Sequence, residues 1–342
     1  MSQTISRDHL LDTRGVRADL DAFVVAAAFD RGGLPGFALG DGTLRLVQDG
    51  AWNSVQAHDG ATLALAADLH AGFVSGGDDG RFVRVAGDGS IAALAGFGQK
   101  WVEHVASFTD AKTQILACSV GKTIHLFDAA GVTLKTLAHP STVTGLAFDA
   151  KGKRIAASHY NGASLWFVAS KSDNPRLLAW KGSHLGIAIS PDGENVVTAM
   201  QENALHGWRL SDGQHMRMSG YPSKTQAMSF TRGGKWLATS GAESIVLWPF
   251  TGGGPMGKAP TELAGGDNVL CSFVACHPLH EAVAAGFSDG LVVLADIPGQ
   301  RILPVAAPGR GSVSAMAWNA DGTRLAFGTE SGFAAVVDFA KM

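Results

Sequence analysis

Residues 189–210, ISPDGENVVTAMQENALHGWRL, hold the pattern from which the rest of the chain can be read. Ser190, Pro191, Asp192 and Gly193 close one apolar run, and a second run follows through Val196, Val197 and Ala199. Gln201, Glu202 and Asn203 then turn the chain back into a third run, ending at Leu210. Asp bonds nearby backbone amides and Gly supplies positive φ, so an Asp-Gly pair between short β-rich runs marks strand, turn, strand. The first half of this phrase recurs as FDAKGKRIAAS at 148–158, FTRGGKWLATS at 230–240 and WNADGTRLAFG at 318–328. The second half recurs as ALGDGTLRLV at 38–47, GGDDGRFVRV at 76–85, VGKTIHLFD at 120–128, FSDGLVVLAD at 287–296 and TESGFAAVVD at 329–338.

Aligning the copies on the end of the first strand gives Phe29, Ala67, Phe108, Phe148, Ile189, Phe230, Cys276 and Trp318. These positions stand about forty residues apart, the period of a four-stranded propeller blade. The expected fold is therefore all-β: a single closed β-propeller over residues 1–342 with eight blades, seven being the fallback count. Residues 4–13, which precede the first unit's opening strand as TLKTLAHP and RILPVAAPG precede later ones, are expected to supply the outer strand of the last blade. That closure would remove two exposed sheet edges.

The repeat resembles that of the WD40 family along essentially the whole chain. The family's third-strand Trp stands at Trp208, Trp166 and Trp248, is replaced by Phe127 in the third unit, and is Val47, Val85, Ala295 or Val337 elsewhere. The Gly-His pair that opens a family repeat is reduced to Ala-His at His58 and His139. The resemblance implies a hydrogen-bonded set of His, Ser/Thr, Asp and Trp in some blades, weakened by these departures.

Composition agrees with a soluble, turn-rich β protein. Apolar residues make up 46% and charged residues 17%, and 44 glycines exceed average usage, as many tight turns require. The first fifteen residues lack the basic and apolar segments of a signal peptide, and no apolar run is long enough to span a membrane, so a cytoplasmic location is expected. Three cysteines in no framework spacing fit a reducing compartment. A net charge of −3 gives no basic field for nucleic acid. A monomer without cofactor is expected.

The motifs of catalysis are missing: there is no phosphate loop, no His-Glu-x-x-His helix and no nucleophile elbow of the Gly-x-Ser-x-Gly type in a strand-to-helix setting. The repeated Asp-Gly pairs sit at one place in each unit, which marks turn geometry rather than paired carboxylates. Quinone-dependent dehydrogenases also form eight-bladed propellers, but their repeated Ala-x-Asp-x-x-Thr-Gly-Lys-x-x-Trp motif does not occur. Cys271, Cys276, His277 and His280 form the one run with metal-ligand types, making a zinc-linked accessory role the second reading. Cys271 and Cys276 stand an odd step apart on a strand and so point to opposite faces, and no metal ligand is assigned. An enzyme using the channel mouth is the third reading.

The WD40 resemblance implies that a protein or peptide partner binds where blade-to-blade loops and second-to-third strand turns share one face. On that face the expected contact residues are Phe23, Trp101, His104, Tyr160, Trp180 and Lys181, with Leu185, Tyr221, Lys224, Gln226 and Arg310. Exposed aromatics beside cations give contact area at low entropic cost. For Trp101 and Trp180, plugging gaps between blades is the competing role. The other six tryptophans fall within strands, where packing is expected. Lys151 and Lys153 belong to the opposite face.

Overall fold

The computed structural model describes residues 9–340, almost all of them in strands or the turns between them. The innermost strands are Val24–Phe29, Thr62–Ala67, His104–Thr109, Gly145–Phe148, residues 184–189, Met228–Phe230, Cys271–Cys276 and Val313–Trp318. Each packs on the next in sequence order, and the last packs on the first. Seven of the eight positions aligned from sequence are the final residues of these strands, and Phe108 stands one before Thr109.

The strands form seven hydrogen-bonded sheets, six of four strands and one of six. The six-stranded sheet holds two repeats. Its strand Arg154–Phe167 passes through a turn at Asn161 and Gly162, both at positive φ. Its strand Arg176–Ile189 changes unit at Gly182 and Ser183, with 160–165 pairing to 176–183 and 184–189 to 196–200. Counting continuous sheets gives seven, as in the fallback; counting repeats around the ring gives eight innermost strands.

Burial explains the composition of each layer. Second strands such as Phe73–Gly77 and Asn195–Met200 are buried at every residue because a neighbouring unit covers each face. Outer strands such as His215–Met218 alternate exposed and buried, the period of a strand with one wet face. The core lies between adjacent sheets, as where Leu44, Leu46 and Val55 of the first unit meet Phe73, Val83 and Val85 of the second. Gly36 permits one such contact, since a Cβ there would stand 2.6 Å from the Phe73 ring.

Hydroxyls near the start of the innermost strands latch neighbouring units together. Ser272 Oγ donates to the Val313 carbonyl at 2.7 Å, and Thr144 Oγ1 donates to that of His184. Ser314 Oγ does the same to Val24 at 2.6 Å, across the seam between the last unit and the first.

An N-terminal strand does close the last sheet, but it is Gly15–Asp19 rather than residues 4–13. It runs antiparallel to Phe333–Asp338, with Gly15 opposite Val337 and Asp19 opposite Phe333. Residues 4–8 of the expected strand lie outside the described residues, and His9–Arg14 is a short helix. The Leu10-Leu11 pair serves a helical turn as well as a strand: Leu11 is 1% exposed and packs among the apolar residues of the last two units.

Candidate partner-binding face

Backbone hydrogen bonds hold the blade-to-blade loops onto the second-to-third strand turns. Ala57 and His58 N–H both donate to the Gly42 carbonyl at 3.1 Å, Val102 to Gly77 at 3.0 Å, Val143 to Gly121 at 2.8 Å and Gly309 to Asp289 at 2.7 Å. Each of these loops is thus tied to the turn beside it, and together they make up a rim.

Beneath that rim lie three versions of one polar device. In the second unit His58, fully buried, places Nδ1 2.9 Å from Asp79 Oδ1 and Nε2 2.9 Å from Ser75 Oγ. Burial lowers its pKa, with the Asp79 carboxylate opposing the shift. In the fifth unit His184 Nδ1 lies 2.7 Å from Thr198 Oγ1, and Nε2 donates to the Trp180 carbonyl at 3.1 Å. The sixth unit has no histidine there. Tyr221 fills the slot: its hydroxyl lies 2.6 Å from Thr239 Oγ1 and accepts from Trp248 Nε1 at 2.6 Å.

Tyr221 therefore departs from the expectation of an exposed contact residue. It is 8% exposed, and burial pushes its pKa up to about 12. The physical reason is that the buried Trp248 N–H takes its acceptor from Tyr221 and would be left unpaired by a solvated tyrosine, whereas Thr239 also donates to the Val246 carbonyl.

The other expected residues divide by exposure. Phe23 is 45% exposed, Trp101 56% and Tyr160 59%, large values for aromatic rings. Lys181, Lys224 and Gln226 are also exposed, and Leu185 is half-buried. Half-buried Trp180 lies flat on buried His206, ring centres 4.0 Å apart and planes 16° apart, so that its ring is engaged in packing. Burial brings His104 down to about 4, leaving it neutral at physiological pH. The Arg310 guanidinium sits 4.7 Å from the centre of the Phe333 ring. Tyr160 lies in the turn of the fourth unit, Trp101 in the loop entering the third and Phe23 in the segment entering the first.

The Cys-His run is occupied by structural bonds. His277 Nε2 donates to the Gly322 carbonyl at 3.0 Å, and Nδ1 accepts from Leu279 and His280 N–H at 3.1 Å, which engages both ring nitrogens. Cys271 is buried, and burial pushes both Cys271 and Cys276 up to about 12. Among the described residues no three His, Cys, Asp or Glu side chains are grouped to hold a metal ion. None of the helical residues described forms a segment long and apolar enough to cross a membrane.

Comparison with known proteins agrees with this geometry. A stretch of 119 residues, 33% of this chain, is 31% identical to the WD repeat-containing protein slp1 of Schizosaccharomyces pombe. The chain is a WD40-like β-propeller. The matched stretch spans 24% of the length of that relative. Among solved structures, the crystal structure of the computationally designed Ika8 protein superposes on this propeller with a TM-score of 0.76 and 19% identity. That match covers 95% of this chain and 99% of the designed one and concerns the fold alone. No protein-family model matches the sequence.

Two features of the propeller escaped sequence reasoning. The Tyr221 slot could have been found by aligning the sixth unit on the fifth, where Thr239 and Trp248 correspond to Thr198 and Trp208. The apolar groove on the opposite face, described below, left no comparable mark.

Proposed function

We propose that this WD40-like propeller is a non-catalytic cytoplasmic scaffold that binds a protein or peptide segment on its loop face, as a monomer. The observation that carries the reading is the exposure of Phe23, Trp101 and Tyr160 on a rim fixed by backbone hydrogen bonds. Rigid aromatic side chains lose little entropy on binding and act as anchors. Lys181, Lys224 and Gln226 supply polar contacts around them. The relative in fission yeast is described as a WD repeat-containing protein, in keeping with an interaction module.

The titratable groups support a structural rather than catalytic use. His58 and His184 spend their ring nitrogens on hydrogen bonds inside a blade. The raised Cys271 and Cys276 thiols stay protonated, and the thiolate is the nucleophilic form. With a net charge of −3, a nucleic-acid partner is disfavoured.

The test is crosslinked affinity capture from native cells, repeated with Trp101→Ala and Tyr160→Ala. An anchor residue costs about 2 kcal/mol or more on truncation, roughly a thirtyfold loss of affinity. Lys151→Ala, on the other face, should leave capture unchanged. Equal capture by all three variants would remove the loop face as the site.

A further inference from the structure

The face opposite the loop rim carries a groove between the third and fourth units with a cavity of about 560 Å³. One wall is the start of the outer strand Thr133–Ala138, at Leu134 and Lys135; the other is the end of the strand Arg154–Phe167 with Val168 and Ala169. Leu134 is 52% exposed and Phe167 61%. Val132 and Leu177, also exposed, belong to the same two hairpins, a local excess of wet apolar surface.

The groove is built before any partner arrives. Val168 N–H donates to the Lys153 carbonyl at 2.9 Å, fixing the far wall to the first turn of the fourth unit. Lys135 Nζ bridges the two units, donating to the Ser170 carbonyl and to Asp173 Oδ1, the latter at 2.9 Å. Gly152 at the floor has φ of +60° and accepts the Phe108 ring beneath it, where a Cβ would stand 2.1 Å from a ring carbon.

Its charge is one-sided. The lining contains two ammonium groups, Lys135 and Lys153, and no carboxylate. Lys135 is already matched by Asp173; Lys153 is exposed and borders a second cavity that holds Asp149, Asp192 and Glu194, yet it makes no ion pair among the described residues. An apolar trough beside an unmatched cation suits a bulky apolar side chain next to a carboxylate.

We propose that this groove is a second docking site, for an extended acidic segment of another protein that inserts an apolar side chain between Leu134 and Phe167 and sets a carboxylate against Lys153. An open trough with half-exposed walls suits a chain segment better than an enclosed small molecule. The site is independent of the loop face, so one protein could hold two partners at once, on opposite faces of the ring.

The experiment is selection of a displayed library of random linear peptides on the full chain, followed by affinity measurement with synthetic copies of the enriched peptides. Enriched peptides should pair Leu, Phe or Trp with Asp or Glu. Phe167→Ser and Lys153→Glu should each weaken them by about tenfold or more, with the melting temperature unchanged, while Trp101→Ala has no effect. Peptides without carboxylates, binding indifferent to both groove variants, or no enrichment over the Phe167→Ser protein would overturn the proposal. So would self-association in sedimentation that Phe167→Ser abolishes, because a second copy would then cover the groove.

Discussion

Arg324, at the start of a strand in the last unit, donates from its guanidinium to the backbone carbonyl of Gly33, in the first turn of the first unit. Arg154 makes the same bond to Gly193 one unit ahead, at 2.8 Å, inside the ring. The seam is thus sealed by the device that joins interior neighbours, and Arg324 also covers the Phe29 ring at 5.3 Å. Replacing Arg324 with Ala should lower stability by about 1.5–3 kcal/mol, the range for a hydrogen bond to a charged group. Urea unfolding measures it; a variant indistinguishable from wild type would show that the seam is held elsewhere.

Removing residues 1–19 takes away the strand paired with Phe333–Asp338 and leaves that edge unpaired. The truncated protein should melt at lower temperature and associate as its concentration rises. Scanning calorimetry and light scattering test both, and an unchanged monomer would mean that the pairing contributes nothing.

Tyr221→Phe deletes the hydroxyl shared by Thr239 and Trp248. Leaving buried polar groups unpaired costs about 1–3 kcal/mol. Because the ring is buried, partner capture corrected for folded fraction should not change. A loss of capture at full stability would return Tyr221 to the interface.

Acid should destabilise the fold through its histidines. Burial lowers His139 to about 4 and His206 to about 3, against an unfolded value near 6.5. As pH falls below about 6.5 the unfolded chain takes up protons that the native state refuses, so stability is full above that value and declines towards pH 4 and below. Neither ring nitrogen of His139 has a hydrogen-bond partner, so His139→Phe should fold normally and flatten the decline. A melting temperature constant from pH 7 to 4.5 would contradict the assignment.

The repeat could be read from sequence because its punctuation is local. Asp-Gly turns and the apolar residues before them fix the first-strand ends from Phe29 to Trp318 without any long-range knowledge. Closure was read in kind but misplaced. Val16, Arg17, Ala18 and Asp19 carry the inward and outward alternation of a strand, yet the Leu10-Leu11 pair gave a stronger apolar cue nearby. Tyr221 was misplaced because its partners stand 18 and 27 residues further on, and a lone loop tyrosine resembles a solvated one. Exposed Leu134 and Phe167 have the same identity as packed residues, and only the tertiary structure shows them uncovered.

A sheet assembled from the first and last strands of the ring also imposes an order on synthesis. Among the described strands Gly15–Asp19 is made first and its partner Phe333–Asp338 last. At about 5–20 residues per second the first strand waits roughly 15–60 s for its mate. During that interval the ring cannot close, and the apolar sheet faces at the two ends of the growing arc stay uncovered.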